Sequence, residues 1–106
     1  MSAKVREILA ELRRELEALY GPRLVKLVLY GSQARGDAEP GSDIDVLVVL
    51  RGPERTAEEI AKTSEIAADL SLENDEVVCC VFMDEREFVQ RNGPLLRNIR
   101  REGVPL

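Results

Sequence analysis

Two aspartates separated by one residue, Asp43 and Asp45, open an apolar segment and are the side chains best placed for chemistry. Apart from Asp45, residues 44–50 are aliphatic and partly β-branched, which predicts a buried strand. Alternate strand residues share a face, about 6–7 Å apart along the chain, so we expect both carboxylates on one face and Ile44 on the other. Two like charges side by side disfavour each other unless a cation lies between them. The spacing therefore predicts a site for a hard divalent cation such as Mg²⁺.

Gly31 and Ser32 supply groups of the opposite character directly after residues 24–30, a second apolar segment that predicts another strand. Glycine lets the backbone approach a ligand closely, and successive N–H groups in a tight turn bind anions. The serine hydroxyl adds a donor for a phosphate oxygen. Either half alone is also typical of an ordinary strand boundary. Together, a phosphate-binding turn and a pair of cation ligands predict a nucleoside triphosphate site.

The segment 31–46 contains Gly-Ser, Ala-Arg-Gly and Ser-Asp-Ile-Asp-Val in that order. This pattern resembles the signature of the minimal nucleotidyltransferases of the DNA polymerase beta superfamily, and residues 99–106 resemble the family's usual ending. The resemblance implies a polymerase beta-like fold. It also implies transfer of a nucleoside monophosphate from a Mg-NTP to an acceptor hydroxyl, with release of pyrophosphate. The nucleotide is most simply ATP, which gives AMP transfer, and the reaction uses two Mg²⁺ ions.

The resemblance also implies roles for individual residues. Asp43 and Asp45 correspond to metal ligands, and a third carboxylate on a later strand normally completes the family's metal site. Asp75 is the candidate for that third ligand, although Glu76 is an alternative and residues 77–83 contain no carboxylate before Asp84. Both candidates precede the apolar segment, so each is also consistent with a solvated strand end.

The implied nucleotide-binding residues are Gly31, Ser32, Arg35 and Ser42. Arg35 has two interpretations. Its guanidinium could contact the phosphates, or it could pair with Asp37 or Glu39 and stabilise the loop.

Composition limits the remaining possibilities. The chain has 106 residues, 44% of them hydrophobic and 33% charged, which predicts one domain over residues 1–106. A net charge of −5 argues against broad nucleic-acid binding, which depends on lysine and arginine. There is no histidine, and no apolar stretch is long enough to span a membrane or resemble a signal peptide. We therefore expect a cytoplasmic protein without histidine-based chemistry.

Cys79 and Cys80 are adjacent in a third predicted strand, residues 76–83, so their side chains should point to opposite faces. Adjacent cysteines have neither zinc-site spacing nor the geometry of an ordinary disulfide. The sequence predicts two buried small residues in a reducing compartment.

Helical periodicity predicts helices over residues 2–20, 56–73 and 95–101, with a short one after Asp84. Thr56 and Glu59 match a capping box at the start of the second long helix. The order helix, strand, strand, helix, strand, helix, helix predicts an α+β fold with a small mixed sheet and helices covering one face.

A domain of this size has little surface for an acceptor of its own. Small members of the family typically pair with a helical HEPN-type partner and can act as the antitoxin that neutralises it. The resemblance thus implies modification of a partner protein. Two alternatives stay open: a binding module with a degenerate metal site that sequesters the partner, and adenylylation of a small molecule. The sequence does not decide between a monomer and a homo-oligomer.

Overall fold

The computed structural model describes residues 2–39, 41–53 and 55–106, with only the backbone of Thr56. The helices are α1 (Ala3–Tyr20), α2 (Ser32–Arg35), α3 (Thr56–Asn74), α4 (Glu85–Gln90) and α5 (Pro94–Glu102). The strands are β1 (Leu24–Tyr30), β2 (Ile44–Leu50), β3 (Val78–Asp84) and β4 (Val104–Pro105). No helix within these ranges has the length and apolar character needed to cross a membrane.

The strands form one four-stranded mixed sheet in the order β3-β2-β1-β4. β1 runs antiparallel to both β2 and β4, whereas β2 and β3 are parallel and are connected through α3. β2 is a central strand, and all of its residues except Asp45 are buried. This arrangement confirms the predicted α+β fold with a small mixed sheet.

The two faces of the sheet carry separate clusters of buried side chains. α1 and α3 pack on the face that includes Leu29, Val46 and Phe82. Leu96 and Ile99 of α5 pack on the opposite face, with Phe88 of α4 at its margin. The two long helices therefore cover one face as predicted, and the two short C-terminal helices, contrary to that prediction, cover part of the other.

Most predicted boundaries are confirmed. β1 and β2 have the predicted bounds, and Ser2 caps α1 by accepting a hydrogen bond from the N–H of Val5 at 3.1 Å. Asp84 caps α4 through the N–H of Glu87 at 2.8 Å. The sequence did not predict α2 or β4, because each is too short to show a periodic pattern.

The predicted capping box at the start of α3 pairs Thr56 with Glu59 and falls partly outside the described part of the chain. The helix begins at Thr56 with Arg55 in the N-cap position and no side-chain cap, and the side chain of Thr56 lies outside the described part of the chain. The Glu59 carboxylate accepts hydrogen bonds from Tyr20 and Arg23. It is therefore bound by residues distant from it in sequence.

Candidate active site

Tyr30, Asp45 and Cys79 lie side by side across three neighbouring strands. Asp45 of β2 pairs with Tyr30 of antiparallel β1 and with Cys79 of parallel β3. Side chains of directly paired residues point to the same face, so the three form one row. Asp43 lies just before β2, and Ile44 between the two aspartates is buried in the core on the other face. The structure thus brings the two carboxylates together, as their spacing predicted.

The ligand atoms of Asp43, Asp45 and Cys79 all lie within 4.8 Å of one another. Asp43 is exposed and the other two are half-buried, and the Cys79 thiol donates to Oδ2 of Asp43 at 3.8 Å. Among the described residues, no lysine or arginine forms an ion pair with either carboxylate. The fold therefore collects negative charge here without supplying a counter-charge.

The surroundings shift three pKa values in the same direction. Burial, and then the charge of Asp43, raises the pKa of the Asp45 carboxyl. Burial and the two carboxylates raise the pKa of the Cys79 thiol, and burial together with Asp45 raises the pKa of Tyr30. Each shift means that further negative charge is unfavourable at this position. A bound cation would reverse that penalty.

Gly31 brings the backbone into contact with this cluster. Its φ of 76° and ψ of −157° lie in a region that only glycine adopts without strain. A Cβ at this position would lie 2.6 Å from Oδ2 of Asp45. Directly after it, α2 begins at Ser32 without a side-chain cap, and the first N–H groups of a helix have no intrahelical partner. The predicted phosphate-binding turn thus lies against the predicted cation ligands.

Arg35 and Ser42 take part in contacts within and around the loop. The Arg35 guanidinium donates to Asp37 at 3.1 Å and to Glu102 at 3.3 Å. The Ser42 hydroxyl accepts a hydrogen bond from the N–H of Glu39 at 3.0 Å. These contacts agree with the loop-stabilising interpretation of Arg35, and they hold α2, the loop and the end of α5 together.

Asp75 and Glu76 lie outside the cluster of Asp43, Asp45 and Cys79. Asp75 ends α3 in a left-handed conformation with φ of 53°, and its N–H donates to the carbonyl of Ser71. The Glu76 carboxylate lies 3.8 Å from the Nζ of Lys4 on α1. The structure thus gives Asp75 a helix-ending position and Glu76 an ion pair, and Cys79 rather than either of them lies beside Asp43 and Asp45.

Sequence reasoning missed two residues of the site, Tyr30 and Cys79. Cys79 was predicted to be a buried small residue, whereas it is half-buried beside both carboxylates. The alternation of the third strand showed that Cys79 and Cys80 face opposite ways. It could not show which of them lies next to Asp45, because that depends on the register of two strands separated by α3.

Comparison with known proteins identifies the class to which this fold and site belong. Residues 9–105 match the model of the nucleotidyltransferase domain. The chain is also 35% identical over 69 residues to MJ0141 of Methanocaldococcus jannaschii, which carries the name protein adenylyltransferase; the match covers 65% of this chain and 69% of that protein. The chain belongs to the nucleotidyltransferase domain family, and it is a nucleotidyltransferase by descent.

Solved structures show the same fold. A toxin–antitoxin structure with AMP-PNP matches with a TM-score of 0.60 at 24% identity, over 89% of this chain and 68% of that one. A mutant of the MntA–HpeT toxin–antitoxin pair matches with a TM-score of 0.57 at 28% identity, over 89% and 68%. A complex of a tri-AMPylated HEPN toxin with an MNT antitoxin from Shewanella oneidensis matches with a TM-score of 0.50 at 21% identity, over 92% and 70%.

Proposed function

We propose that this chain transfers AMP from ATP to a hydroxyl group of a helical HEPN-type partner protein and thereby neutralises it as an antitoxin. The observation that carries the proposal is the contact between the Gly31 turn and the carboxylate of Asp45. It places groups suited to phosphate beside groups suited to a cation. A nucleoside triphosphate with its divalent ion requires both.

The donor set fits such an ion. Asp43 and Asp45 offer carboxylate oxygens, and Mg²⁺ is commonly bound by one or two carboxylates together with substrate phosphates and water. We assign these two residues as the protein's ligands. When bound, divalent ions supply charge neutralisation at the attacking and leaving oxygens of phosphoryl chemistry. Asp43 and Asp45 would hold such an ion next to the turn proposed to receive the triphosphate.

The chain's own groups would position the triphosphate. The N–H groups at the start of α2 and the Ser32 hydroxyl would donate hydrogen bonds to phosphate oxygens. Gly31 would allow the phosphates to approach the backbone. In the reaction, the acceptor oxygen forms a bond to the α-phosphorus and the bond to the pyrophosphate oxygen breaks. The acceptor proton passes to solvent. Positioning accounts for most of the effect in this type of chemistry.

The acceptor is assigned from relatives. The matched Shewanella oneidensis complex holds an AMPylated HEPN toxin with an MNT antitoxin, and MJ0141 carries the name protein adenylyltransferase. The net charge of −5 disfavours a nucleic-acid acceptor. A protein hydroxyl is therefore the acceptor we propose, in the cytoplasm, where ATP is available.

The test is incubation of the chain and its HEPN-type partner with Mg²⁺ and ATP labelled on the α-phosphate. We expect label on the partner, with none when the γ-phosphate carries the label. Asp43→Asn should lower labelling by at least about 100-fold, since even residues behind metal ligands commonly cost 10–100-fold. Asp69→Asn removes an exposed carboxylate of α3 outside the cluster and is the matched control.

Two results would overturn the proposal. A tight complex with no label would favour sequestration of the partner without chemistry, consistent with the finding that no other described carboxylate joins the cluster of Asp43, Asp45 and Cys79. Rapid labelling of a small alcohol or an RNA by the chain alone would give it a different acceptor.

A further inference from the structure

The thiol of Cys79 is directed at the two carboxylates proposed to hold the cation. Its sulfur lies 3.8 Å from Oδ2 of Asp43, and one oxygen of Asp45 completes a set in which all atoms lie within 4.8 Å of one another. Donors at about 2.0–2.3 Å from a shared ion can be separated by at most about 4.5 Å. Small side-chain rotations would therefore bring all three donors onto one ion.

The position of Cys79 is fixed by the fold. β3 pairs with β2 in parallel from Ile44 to Leu50, and within this ladder Cys79 is the partner of Asp45. Its neighbour Cys80 points to the opposite face and packs against the core formed with α1 and α3. The two cysteines are adjacent in sequence but have different surroundings, and of the two only Cys79 faces the proposed cation site.

The chemistry of sulfur separates the metals that such a site accepts. Mg²⁺ is a hard ion that takes oxygen ligands, so it would gain nothing from the thiol. Zn²⁺, Co²⁺ and Cd²⁺ accept thiolate and carboxylate together, and divalent affinities rise from Mn²⁺ towards Cu²⁺ at any given mixed site. A sulfur among the donors therefore biases selection towards thiophilic ions.

We propose that Cys79 is the third ligand of the cation site and determines its metal selectivity, favouring Zn²⁺ and Co²⁺ over Mg²⁺. This inference rests on the cation site of the proposed function. It gives the nucleotide-free chain a metal preference set by its own donors, while bound ATP brings phosphate oxygens that suit Mg²⁺. The residue is thus a selectivity determinant at the active site.

The experiment is a Co²⁺ titration of the folded chain without nucleotide, followed by absorption spectroscopy. A thiolate ligand gives a sulfur-to-cobalt charge-transfer band in the near ultraviolet. We expect this band in the wild type and in Cys80→Ala, and its loss in Cys79→Ser. Circular dichroism checks that each variant is folded, and Cys80→Ala is the matched control because it removes the adjacent thiol on the other face.

Competition titrations with Zn²⁺ and Mg²⁺ supply the second measurement. Cys79→Ser should weaken Zn²⁺ binding by at least about tenfold, while Mg²⁺ binding changes little. Cys79→Asp should shift the preference towards Mg²⁺, because it completes an all-oxygen set. Equal losses for both ions would overturn the inference.

The absence of the cobalt band in the folded wild type, its persistence in Cys79→Ser, or its loss in folded Cys80→Ala would also overturn it. These outcomes are separable from those of the proposed function. Labelling of the partner with Mg²⁺ in the absence of a cobalt band would leave the function standing and remove the inference. A cobalt band together with no labelling of the partner under any metal would support the inference about Cys79 and remove the proposed function.

Discussion

The chain places carboxylates at two positions that differ in where the compensating positive charge comes from. Glu59 on α3 is only 2% exposed, and its carboxylate accepts from the Tyr20 hydroxyl at 3.1 Å and from Arg23 at 3.4 Å. Lys62 adds a second positive charge at 3.7 Å. Every contact of this buried carboxylate is therefore supplied by the protein itself.

Asp43 and Asp45 have no such compensation. Their described neighbours include each other, the Cys79 thiol, Tyr30 and the Gly31 backbone, none of which is positively charged. Burial, and then the charge of Asp43, raises the pKa of Asp45. Removing a charge that the fold neutralises internally is destabilising, because its partners are then left unsatisfied. A charge that the fold leaves uncompensated costs stability unless a ligand arrives. The contrast separates a structural carboxylate from the two that we propose as cation ligands.

The largest effect on stability is expected at Glu59. Glu59→Ala leaves the buried Tyr20 hydroxyl without its acceptor and Arg23 without its ion pair, which should lower the free energy of unfolding by roughly 1–3 kcal/mol. Glu59→Gln keeps the volume and an acceptor for Tyr20, so it should lose less. Urea denaturation measures both, and equal stability of wild type and Glu59→Ala would remove the structural role.

Gly31→Ala should damage both stability and the site. Its backbone conformation disfavours any Cβ, at a cost of roughly 1–2 kcal/mol, and the new carbon would displace the carboxylate of Asp45. Gly36→Ala is the matched control, since φ is 83° there but a Cβ would meet nothing within 4 Å. We expect both variants to be less stable in thermal melts, and only Gly31→Ala to lose cation binding by calorimetry. Equal cation affinities would contradict the contact.

Asp45→Asn should change stability in the opposite direction to Glu59→Ala. It removes a carboxylate that burial and Asp43 destabilise in its charged form, so we expect a gain of up to about 1 kcal/mol at neutral pH without metal. The raised pKa means that the folded protein holds this proton more tightly than the unfolded chain. The tighter binding of the Asp45 proton therefore stabilises the folded state at low pH, and this stabilisation is lost as pH rises through the pKa that Asp45 has in the folded protein.

The advantage of Asp45→Asn over the wild type should accordingly appear as pH rises above about 3.8, the ordinary aspartate value, and be absent below it. Melting temperatures measured across this range in EDTA test the sign. An advantage that is independent of pH would show that the charge of Asp45 is not its origin.

The features that the sequence predicted are those encoded locally. The apolar segments of β1 and β2 are bounded by glycine and proline, so their limits could be located, and the two-residue period placed Asp43 and Asp45 together. The phosphate-binding turn could be proposed for the same reason, because Gly31 and Ser32 directly follow a strand.

The features that it missed depend on residues far apart in the chain. Asp75 was proposed as a third ligand from its place before a strand, but the register of β3 against β2 puts Cys79 beside Asp45. Similarly, Glu59 matched a local capping pattern, yet its partner Tyr20 lies 39 residues away. Neither the register of β3 against β2 nor the hydrogen bond between Tyr20 and Glu59 leaves a signal in the neighbouring residues.

The smallest effect is expected at Arg35, whose charge is compensated by Asp37 and Glu102 in the way that Glu59 is compensated by Arg23. Ion pairs at the surface contribute little, so Arg35→Gln and Glu102→Gln should each lower the melting temperature only slightly, and the double variant should lose little more than Arg35→Gln alone. If Arg35 serves only the loop, all three variants should bind Mg-ATP within about twofold of the wild type.

A phosphate contact predicts a different pattern for the same three proteins. Arg35→Gln and the double variant would then lose affinity for Mg-ATP by at least about tenfold, as for other hydrogen bonds to charged groups, while Glu102→Gln would keep it. Calorimetric titration of Mg-ATP into the wild type and the three variants decides between the two. Because Glu102→Gln frees the guanidinium from one of its two acceptors, a gain in affinity in that variant alone would also indicate that Arg35 reaches the phosphates.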